Sequence, residues 1–302
     1  MATLEERPDV GEARHHSRPI TVGGLRVWTA VTSRFRLDGG SMFGVVPREL
    51  WEKKTTPDKR NRIRLNTNSL VIETGGRIVL VETGMGRKYA DRLRDIYCLG
   101  DEGAIGALEG LGFGPEDIDT VILTHLHLDH AGGSTERDGE RVVAAFPRAR
   151  FIIQKEEWDS AVDPHPLARA SYSRPDFMPL YESGQVELVT GEEEVAPGVW
   201  VEHTGGHTRG HQVVHLNSGG EEAVYPGDLV PTSAHLKVNW LMAWDMYPEV
   251  TCERKKRLLE TAARRGTLVL FTHDPHLAAA GVVEERAGVF GVDKERSVNA
   301  ES

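Results

Sequence analysis

Four potential metal ligands lie within six consecutive residues of this chain, in the pattern His-x-His-x-Asp-His at residues 125–130. The apolar run before them predicts a short buried strand, so the pattern begins at the carboxyl end of that strand. In extended chain, side chains two residues apart point to the same side, so His125 and His127 can bind one metal ion together. If the chain then turns into a helix, Asp129 and His130 can face a second metal ion. Imidazole and carboxylate groups suit zinc, manganese or iron.

A site for two metal ions needs more ligands, and candidates follow later apolar runs. They are His207 and His211 after residues 199–203, Asp228 after residues 223–225, and His273 after residues 267–271. A single histidine after a strand is more often a structural residue. Several such residues in this order favour a shared metal site over separate accidents.

These motifs resemble those of the metallo-β-lactamase superfamily, and the resemblance extends over residues 20–280. The motifs that carry it are residues 125–130, Gly-His-Thr-x-Gly-His at 206–211, Gly-Asp at 227–228, and His273. The resemblance implies an α/β fold, an αββα sandwich of two mixed β-sheets flanked by helices. It implies one metal ion bound by His125, His127 and His207, a second bound by Asp129, His130 and His273, and Asp228 bridging both.

Within the superfamily, residues 38–47 and 227–232 look closest to the lactonase-like and organophosphate-hydrolase-like branches. Asp228 argues against antibiotic hydrolysis, because true β-lactamases of the superfamily lack this bridging aspartate. His127 argues against the flavodiiron branch, which carries glutamate at that position.

Two residues depart from the family pattern. Glu82 stands where the family usually has aspartate, and it can still accept a hydrogen bond from a ligand imidazole. Pro231 stands where some acyl-homoserine lactonases carry a tyrosine, which weakens that assignment without affecting the metal site. His211 is interpreted as structural or as a support for a ligand, because the family pattern ligates only His207 in that segment.

The predicted site suits hydrolysis. Two divalent ions, expected to be zinc with manganese, iron or cobalt as alternatives, lower the pKa of bound water to about 7. A bridging hydroxide is then expected to attack an ester-like bond, with a lactone of the N-acyl homoserine lactone type as the main substrate hypothesis. Asp129 is the predicted catalytic residue that transfers the proton to the leaving alkoxide. The alternatives are a phosphotriesterase or aryl esterase, a mononuclear iron oxygenase, and a non-catalytic metal-binding module.

Substrate contacts are expected from loops rich in aromatic residues and methionine, which suit an apolar acyl or aryl group. The candidates are Met42, Phe43, His235, Trp240 and Trp244. His235 is a candidate donor to a substrate oxygen. The loop at residues 230–248 has an alternative role as the interface of a homodimer, because the same residue types are enriched there.

Composition favours a cytoplasmic enzyme with a small-molecule substrate. A net charge of −10 gives no counterion-release affinity for nucleic acid. No apolar run approaches the roughly 18 residues that a membrane span needs. Cys98 and Cys252 are the only cysteines, so there is no disulfide framework or cysteine-rich zinc site. Both are expected to be buried thiols in a reducing compartment.

Apolar periodicity predicts alternating strands and helices in one domain, residues 19–302, after a flexible tail at residues 1–18. A hairpin is predicted to turn at Gly75 and Gly76. A helix is predicted to begin at Thr251 as its cap and to stop at Gly266. Asp245 and Asp274 are interpreted as solvated or capping residues.

Overall fold

Two seven-stranded β-sheets form the centre of the computed structural model, which describes residues 19–300. The predicted tail at residues 1–18 lies outside the described residues. The strands are β1 (Ile20–Val22), β2 (Leu25–Asp38), β3 (Arg62–Thr74), β4 (Arg77–Val81), β5 (Thr120–Ile122), β6 (Thr135–Asp138), β7 (Arg141–Ala144), β8 (Arg150–Gln154), β9 (Val186–Val189), β10 (Glu192–Ala196), β11 (Val199–His203), β12 (Gln212–Ser218), β13 (Glu221–Tyr225), β14 (Leu268–Leu270), β15 (Leu277–Arg286) and β16 (Val289–Asn299). The α-helices are α1 (Gly39–Phe43), α2 (Arg48–Trp51), α3 (Asp91–Tyr97), α4 (Ala104–Gly110), α5 (Leu128–Ala131), α6 (Lys155–Val162), α7 (Arg174–Glu182) and α8 (Pro248–Arg265).

Both sheets are mixed. The first has the order β1-β2-β3-β4-β5-β8-β9, antiparallel as far as β4 and parallel from β4 to β9. The second has the order β10-β11-β12-β13-β14-β15-β16, in which β13 and β14 pair in parallel and the other neighbours are antiparallel. Strands β6 and β7 form a separate antiparallel pair.

Three apolar layers hold the sheets and helices together. The layer between the sheets contains Ile72, Val81 and Ile122 from the first sheet and Val214 and Leu216 from the second. Helices α4, α6 and α7 cover the outer face of the first sheet through Leu108, Trp158 and Phe177. Helix α8 covers the second sheet through Leu259 and Ala262. Neighbouring strand residues point to opposite faces, so the burial of both Val213 and Val214 shows that the second sheet is covered on both sides there.

The predicted hairpin between β3 and β4 is confirmed. Gly75 and Gly76 have φ values of 55° and 73°, and Thr74 pairs with Arg77 across the turn. Two consecutive residues at positive φ form the type of turn that matches the twist of a hairpin, and glycine adopts this conformation without steric cost.

Helix α8 begins at Pro248, one turn earlier than the predicted start at Thr251. The fixed φ of proline suits the first turn of a helix, so Thr251 lies inside the helix and is not its cap. The helix ends as predicted at Gly266, which has a φ of 70°. Among the helices of residues 19–300, none is both long and apolar enough to cross a bilayer.

The prediction of two buried thiols is wrong. Cys98 is exposed and Cys252 is partly exposed. Cys98 caps the carboxyl end of α3, which has no buried residue, so its side chain has no core to enter.

Candidate metal centre

The carboxyl ends of β5, β11, β13 and β14 are each followed by a segment that carries predicted ligands. These segments meet at one edge of the sandwich, and the structure brings all seven predicted ligands together there. The seven side chains form two groups of three with Asp228 between them.

His125, His127 and His207 form the first group, and each offers a ligand atom within 4.8 Å of the others. The rings of His125 and His127 are 4.5 Å apart, and the ring of His207 lies 4.7 Å and 4.9 Å from them. The backbone of His127 is extended, with φ −64° and ψ 154°, immediately before α5. Extended chain therefore places both histidines on one side, as the spacing predicts.

Asp129, His130 and His273 form the second group. The chain changes from extended to helical at residue 128, which directs Asp129 and His130 toward the histidine that follows β14. The Nε2 atom of His273 lies 3.1 Å from Nε2 of His130 and 3.7 Å from Oδ2 of Asp129.

Asp228 lies between the two groups. Its Oδ2 atom is 3.3 Å from Nε2 of His207, while its Oδ1 atom is 3.4 Å from Nε2 of His130 and 3.1 Å from Nε2 of His273. Gly227 permits this approach, because a Cβ atom there would come within 2.7 Å of a neighbouring imidazole nitrogen. One carboxylate thus reaches ligands of both groups, as a bridging ligand must.

The donor atoms of this cluster fit a pair of cations. Nε2 of His125, Nε2 of His127 and Oδ1 of Asp228 are buried without a hydrogen-bond partner among the described residues. Buried polar atoms are nearly always paired in proteins, so orphaned atoms concentrated at one place indicate a missing ligand. Burial is the main reason why the pKa values of His125 and His127 lie well below the ordinary value for histidine, and the charges of neighbouring histidines lower them further. Neutral rings offer the free lone pair that metal ligation requires.

For Asp228, burial and the neighbouring charges shift the pKa in opposite directions. Burial by itself would raise the pKa of this carboxyl, but the charges of His130, His273 and His207 hold it well below the ordinary value. Asp228 is therefore a carboxylate at neutral pH.

Acceptors outside the cluster orient the ligand rings. Nδ1 of His207 donates to Oδ1 of Asp245 at 3.0 Å, and Nδ1 of His273 donates to the backbone carbonyl of Asn66 at 2.7 Å. Such bonds fix the tautomer, so that the other ring nitrogen is free for a metal ion. The interpretation of Asp245 as a solvated residue is wrong, because its side chain is buried and its second oxygen accepts from the amide of Met242 at 2.8 Å. Asp274 is buried as well, and it accepts the backbone amides of Ser233, His276 and Leu277.

Glu82 and His211 lie beside the ligands, in the region that the sequence indicated. Oε1 of Glu82 accepts from the amide of Thr124 at 3.0 Å and lies 3.4 Å from Nδ1 of His130. Glu82 has a φ of 64°, a strained conformation that is typical of functional sites. Nε2 of His211 accepts from the backbone amide of Asp228 at 3.1 Å, so this histidine positions the bridging residue.

Glu157 is a supporting residue that the sequence analysis missed. It is fully buried on α6, where Oε1 accepts from the amide of Leu126 at 2.9 Å and from the phenol of Tyr172 at 3.0 Å. Oε2 accepts from the hydroxyl of Thr208 at 2.5 Å. Leu126 lies between the first two ligands and Thr208 follows the third, so one carboxylate joins the two segments of the first group. An acidic residue in a short helix carries no local signal of such a role.

A cavity of about 110 Å³ opens over the cluster and is bordered by ligands of both groups. Its apolar wall includes Met42, Met85, Tyr97, Leu128, Met242 and Trp244. A larger cavity of about 420 Å³, between α8 and the second sheet, contains none of the ligands. The smaller cavity is therefore the one that adjoins the reactive groups.

Of the five predicted substrate contacts, Met42 and Trp244 line this cavity. The other three lie behind the lining. The ring of Phe43 stacks on His235 at 4.9 Å, and Trp240 packs edge-on against Phe43 at 5.5 Å. Both nitrogens of His235 have protein partners, the hydroxyl of Thr232 at 2.7 Å and the carbonyl of Met42 at 2.9 Å. Direct contact of these three with a substrate is therefore no longer expected.

Comparison with known proteins adds an independent line of evidence. The family model described as the metallo-beta-lactamase superfamily matches residues 62–273, a span that contains all seven ligands. An N-acyl homoserine lactonase from Bacillus thuringiensis is 28% identical over 175 residues, which cover 56% of this chain and 61% of that protein. The match therefore spans about three fifths of the length of this relative.

Two solved structures share the fold over most of the chain. One, described as a probable metal-dependent hydrolase from Staphylococcus aureus, has a TM-score of 0.84 and 29% identity, and covers 91% of this chain and 99% of that chain. The other is AidC, a dizinc quorum-quenching lactonase in complex with a product, with a TM-score of 0.74 and 20% identity over 91% of this chain and 96% of that chain.

Proposed function

The chain belongs to the metallo-beta-lactamase superfamily, as its motifs predicted, and from this premise we propose that it is a dinuclear metal-dependent hydrolase of lactones. The predicted arrangement of mixed sheets flanked by helices is confirmed as well. The proposed substrates are small, uncharged lactones of the N-acyl homoserine lactone type.

The observation that carries the proposal is the position of Asp228. Its two oxygens lie 3.1 Å to 3.4 Å from ring nitrogens that belong to both ligand groups. A structural zinc site is normally closed by four ligands around one ion. Two three-residue groups joined by one carboxylate instead suit two ions that share a bridging ligand. The nitrogen-rich donor set favours zinc, with manganese, iron and cobalt as alternatives.

When bound, two divalent cations would supply an activated water and polarise the ester carbonyl. The chain itself must then move one proton. The carboxylate of Asp129 borders the cavity and its side chain is 14% exposed, so it can accept the proton of the attacking water. The same oxygen can return that proton to the alkoxide that leaves when the ring opens.

The remaining residues hold this geometry. Asp245 and Asn66 keep the rings of His207 and His273 turned toward the cluster. The methionines and the indole make part of the cavity wall apolar, and a less polar surrounding strengthens electrostatic interactions inside it.

We propose lactones as substrates, in place of other esters, for two reasons. The relatives include proteins named N-acyl homoserine lactonases, and the apolar wall suits an uncharged substrate. The same cluster could attack aryl phosphotriesters and aryl esters, so these compounds belong in the same assay. A mononuclear iron oxygenase would use one ligand group, and the complete second group argues against it.

The test combines metal counting with a substrate panel. Protein purified with zinc should contain two ions per chain by elemental analysis and should hydrolyse lactones faster than aryl esters or phosphotriesters. A single iron per chain in protein purified without added metal would support the oxygenase instead. Two bound ions with faster turnover of phosphotriesters would keep the dinuclear hydrolase and reject the lactone assignment.

A further inference from the structure

We infer that the cavity over the ligands accepts a lactone ring with at most a short apolar substituent, and that Trp244 sets this limit. The inference rests on the proposed function and narrows its substrate class. It also narrows the expectation from the sequence, in which the aromatic loop contacts an apolar acyl or aryl group.

The volume of the cavity limits the substrate that it can hold. The cavity measures about 110 Å³. An engineered apolar cavity of about 150 Å³ in another protein holds one benzene molecule, and typical pockets for drug-sized ligands measure about 300–1,000 Å³. The space over the ligands is therefore sufficient for roughly the atoms of a five-membered lactone ring. A long acyl chain would have to extend beyond this cavity.

Hydrogen bonds of the backbone fix the wall that contains Trp244. The amide of Ala243, just before Trp244, donates to the carbonyl of Ser41 at 2.8 Å. The amide of Met246, two residues after Trp244, donates to the carbonyl of His207 at 3.0 Å. The backbone that carries Trp244 is therefore held between a bond to the α1 segment and a bond to a ligand segment, so the cavity does not enlarge by a free swing of this loop.

Lys255 on α8 holds the same loop from its other side. The ammonium group of Lys255 is fully buried on α8 and donates to the carbonyl of Trp240 at 2.6 Å. Met242 lies between that anchor and Trp244, and its side chain is buried against the apolar cluster that covers the site. A buried ammonium group thus helps to hold this wall close to the ligands.

The consequence can be measured in KM. Each methylene that becomes buried in an apolar pocket contributes about 0.8 kcal/mol, which corresponds to roughly a fourfold lower KM. Once the cavity is full, further methylenes stay in solvent and this gain ends. In a pocket that accommodates a long chain, KM would continue to fall as the acyl chain of the substrate becomes longer.

The experiment uses the zinc-loaded protein and N-acyl homoserine lactones with butanoyl, hexanoyl, octanoyl and decanoyl chains. For the wild type, KM should change less than about twofold across the series. Trp244→Ala opens space next to the ring, so its KM should fall by roughly fourfold for each methylene that enters. Trp200→Ala is the matched control, because Trp200 lines the cavity under α8 and should leave the flat profile unchanged.

The outcomes are distinct. A wild-type KM that already falls about fourfold per methylene from butanoyl to decanoyl would overturn this inference while leaving the lactonase proposal intact. A flat profile in Trp244→Ala, or in Trp244→Leu where the alanine variant does not fold, would overturn the role of the indole. No hydrolysis of any lactone by protein with two bound ions would reject the proposed function itself.

Discussion

Replacing Asp245 by asparagine should weaken metal binding while leaving every ligand in place. The carboxylate uses Oδ1 to accept from Nδ1 of His207 at 3.0 Å and Oδ2 to accept from the amide of Met242 at 2.8 Å. Asparagine has one acceptor oxygen and can serve only one of these donors. If it serves Met242, its NH₂ group faces the imidazole and favours the tautomer that carries the proton on Nε2, the nitrogen needed for a metal ion.

The expected size follows from comparable supports of metal ligands. Loss of such a partner typically weakens metal affinity by about 10-fold to 100-fold, equivalent to about 1.4–2.7 kcal/mol. Competition with a fluorescent zinc chelator measures this affinity. Asp119→Asn is the control, because Asp119 also accepts a backbone amide, from Ile78 at 2.9 Å, but at the opposite end of β5. Equal zinc affinities for wild type and both variants would refute the role assigned to Asp245.

Three further predictions concern other parts of the molecule. Asp228→Ala should retain at most one metal ion per chain by elemental analysis, because this carboxylate lies between both ligand groups, and two retained ions would contradict a bridging role. Glu157→Gln should lower the free energy of unfolding by about 1–3 kcal/mol in urea denaturation, because both carboxyl oxygens accept hydrogen bonds and the amide keeps only one acceptor oxygen. Glu156→Gln, on the exposed face of the same helix, should have no such effect. Burial lowers the pKa of Lys255 from 10.5 to about 8. Between pH 8 and 10.5 the unfolded chain therefore still binds a proton that the folded chain has lost. The free energy of unfolding should increase by about 3 kcal/mol as the pH rises through this range. Lys255→Met should lack this increase. If its free energy of unfolding rose with pH as much as that of the wild type, the role of Lys255 in the pH dependence would be refuted.

The ligands could be predicted from the sequence because their signal is local. Residues 125–130 combine a buried strand, an alternating pair of histidines and a helical turn within one short segment. The supporting residues have no such signal. Asn66 acts through a backbone carbonyl 207 positions from His273, and Asp245 lies 38 positions from His207. Only the packing of distant segments brings these pairs together, so no pattern in one segment could identify them.

The C-terminal hairpin was missed for a different reason. Strands β15 and β16 pair over residues 277–299, but their register shifts at three places, which interrupts the alternation of apolar and polar residues. Their distal halves are also exposed and rich in charge, as at Glu284–Arg286. The apolar run at residues 277–283 consists mostly of alanine and glycine, which are depleted in strands, so it does not stand out as a strand in the sequence.

The geometry of the metal centre depends on how the two sheets pack. Each ligand group takes two residues from the segment after β5 in the first sheet and one residue, His207 or His273, from the second sheet. Buried polar residues fix how the two sheets pack against each other. Asn68 on β3 donates from its side chain to the carbonyls of Phe271 and Asp274, both at 2.9 Å, on either side of His273. A buried amide is tolerated in this apolar layer because its hydrogen bonds are satisfied, and satisfied buried networks make a core rigid and specific. The distance between the ligand groups is therefore set by the fold before any cation binds.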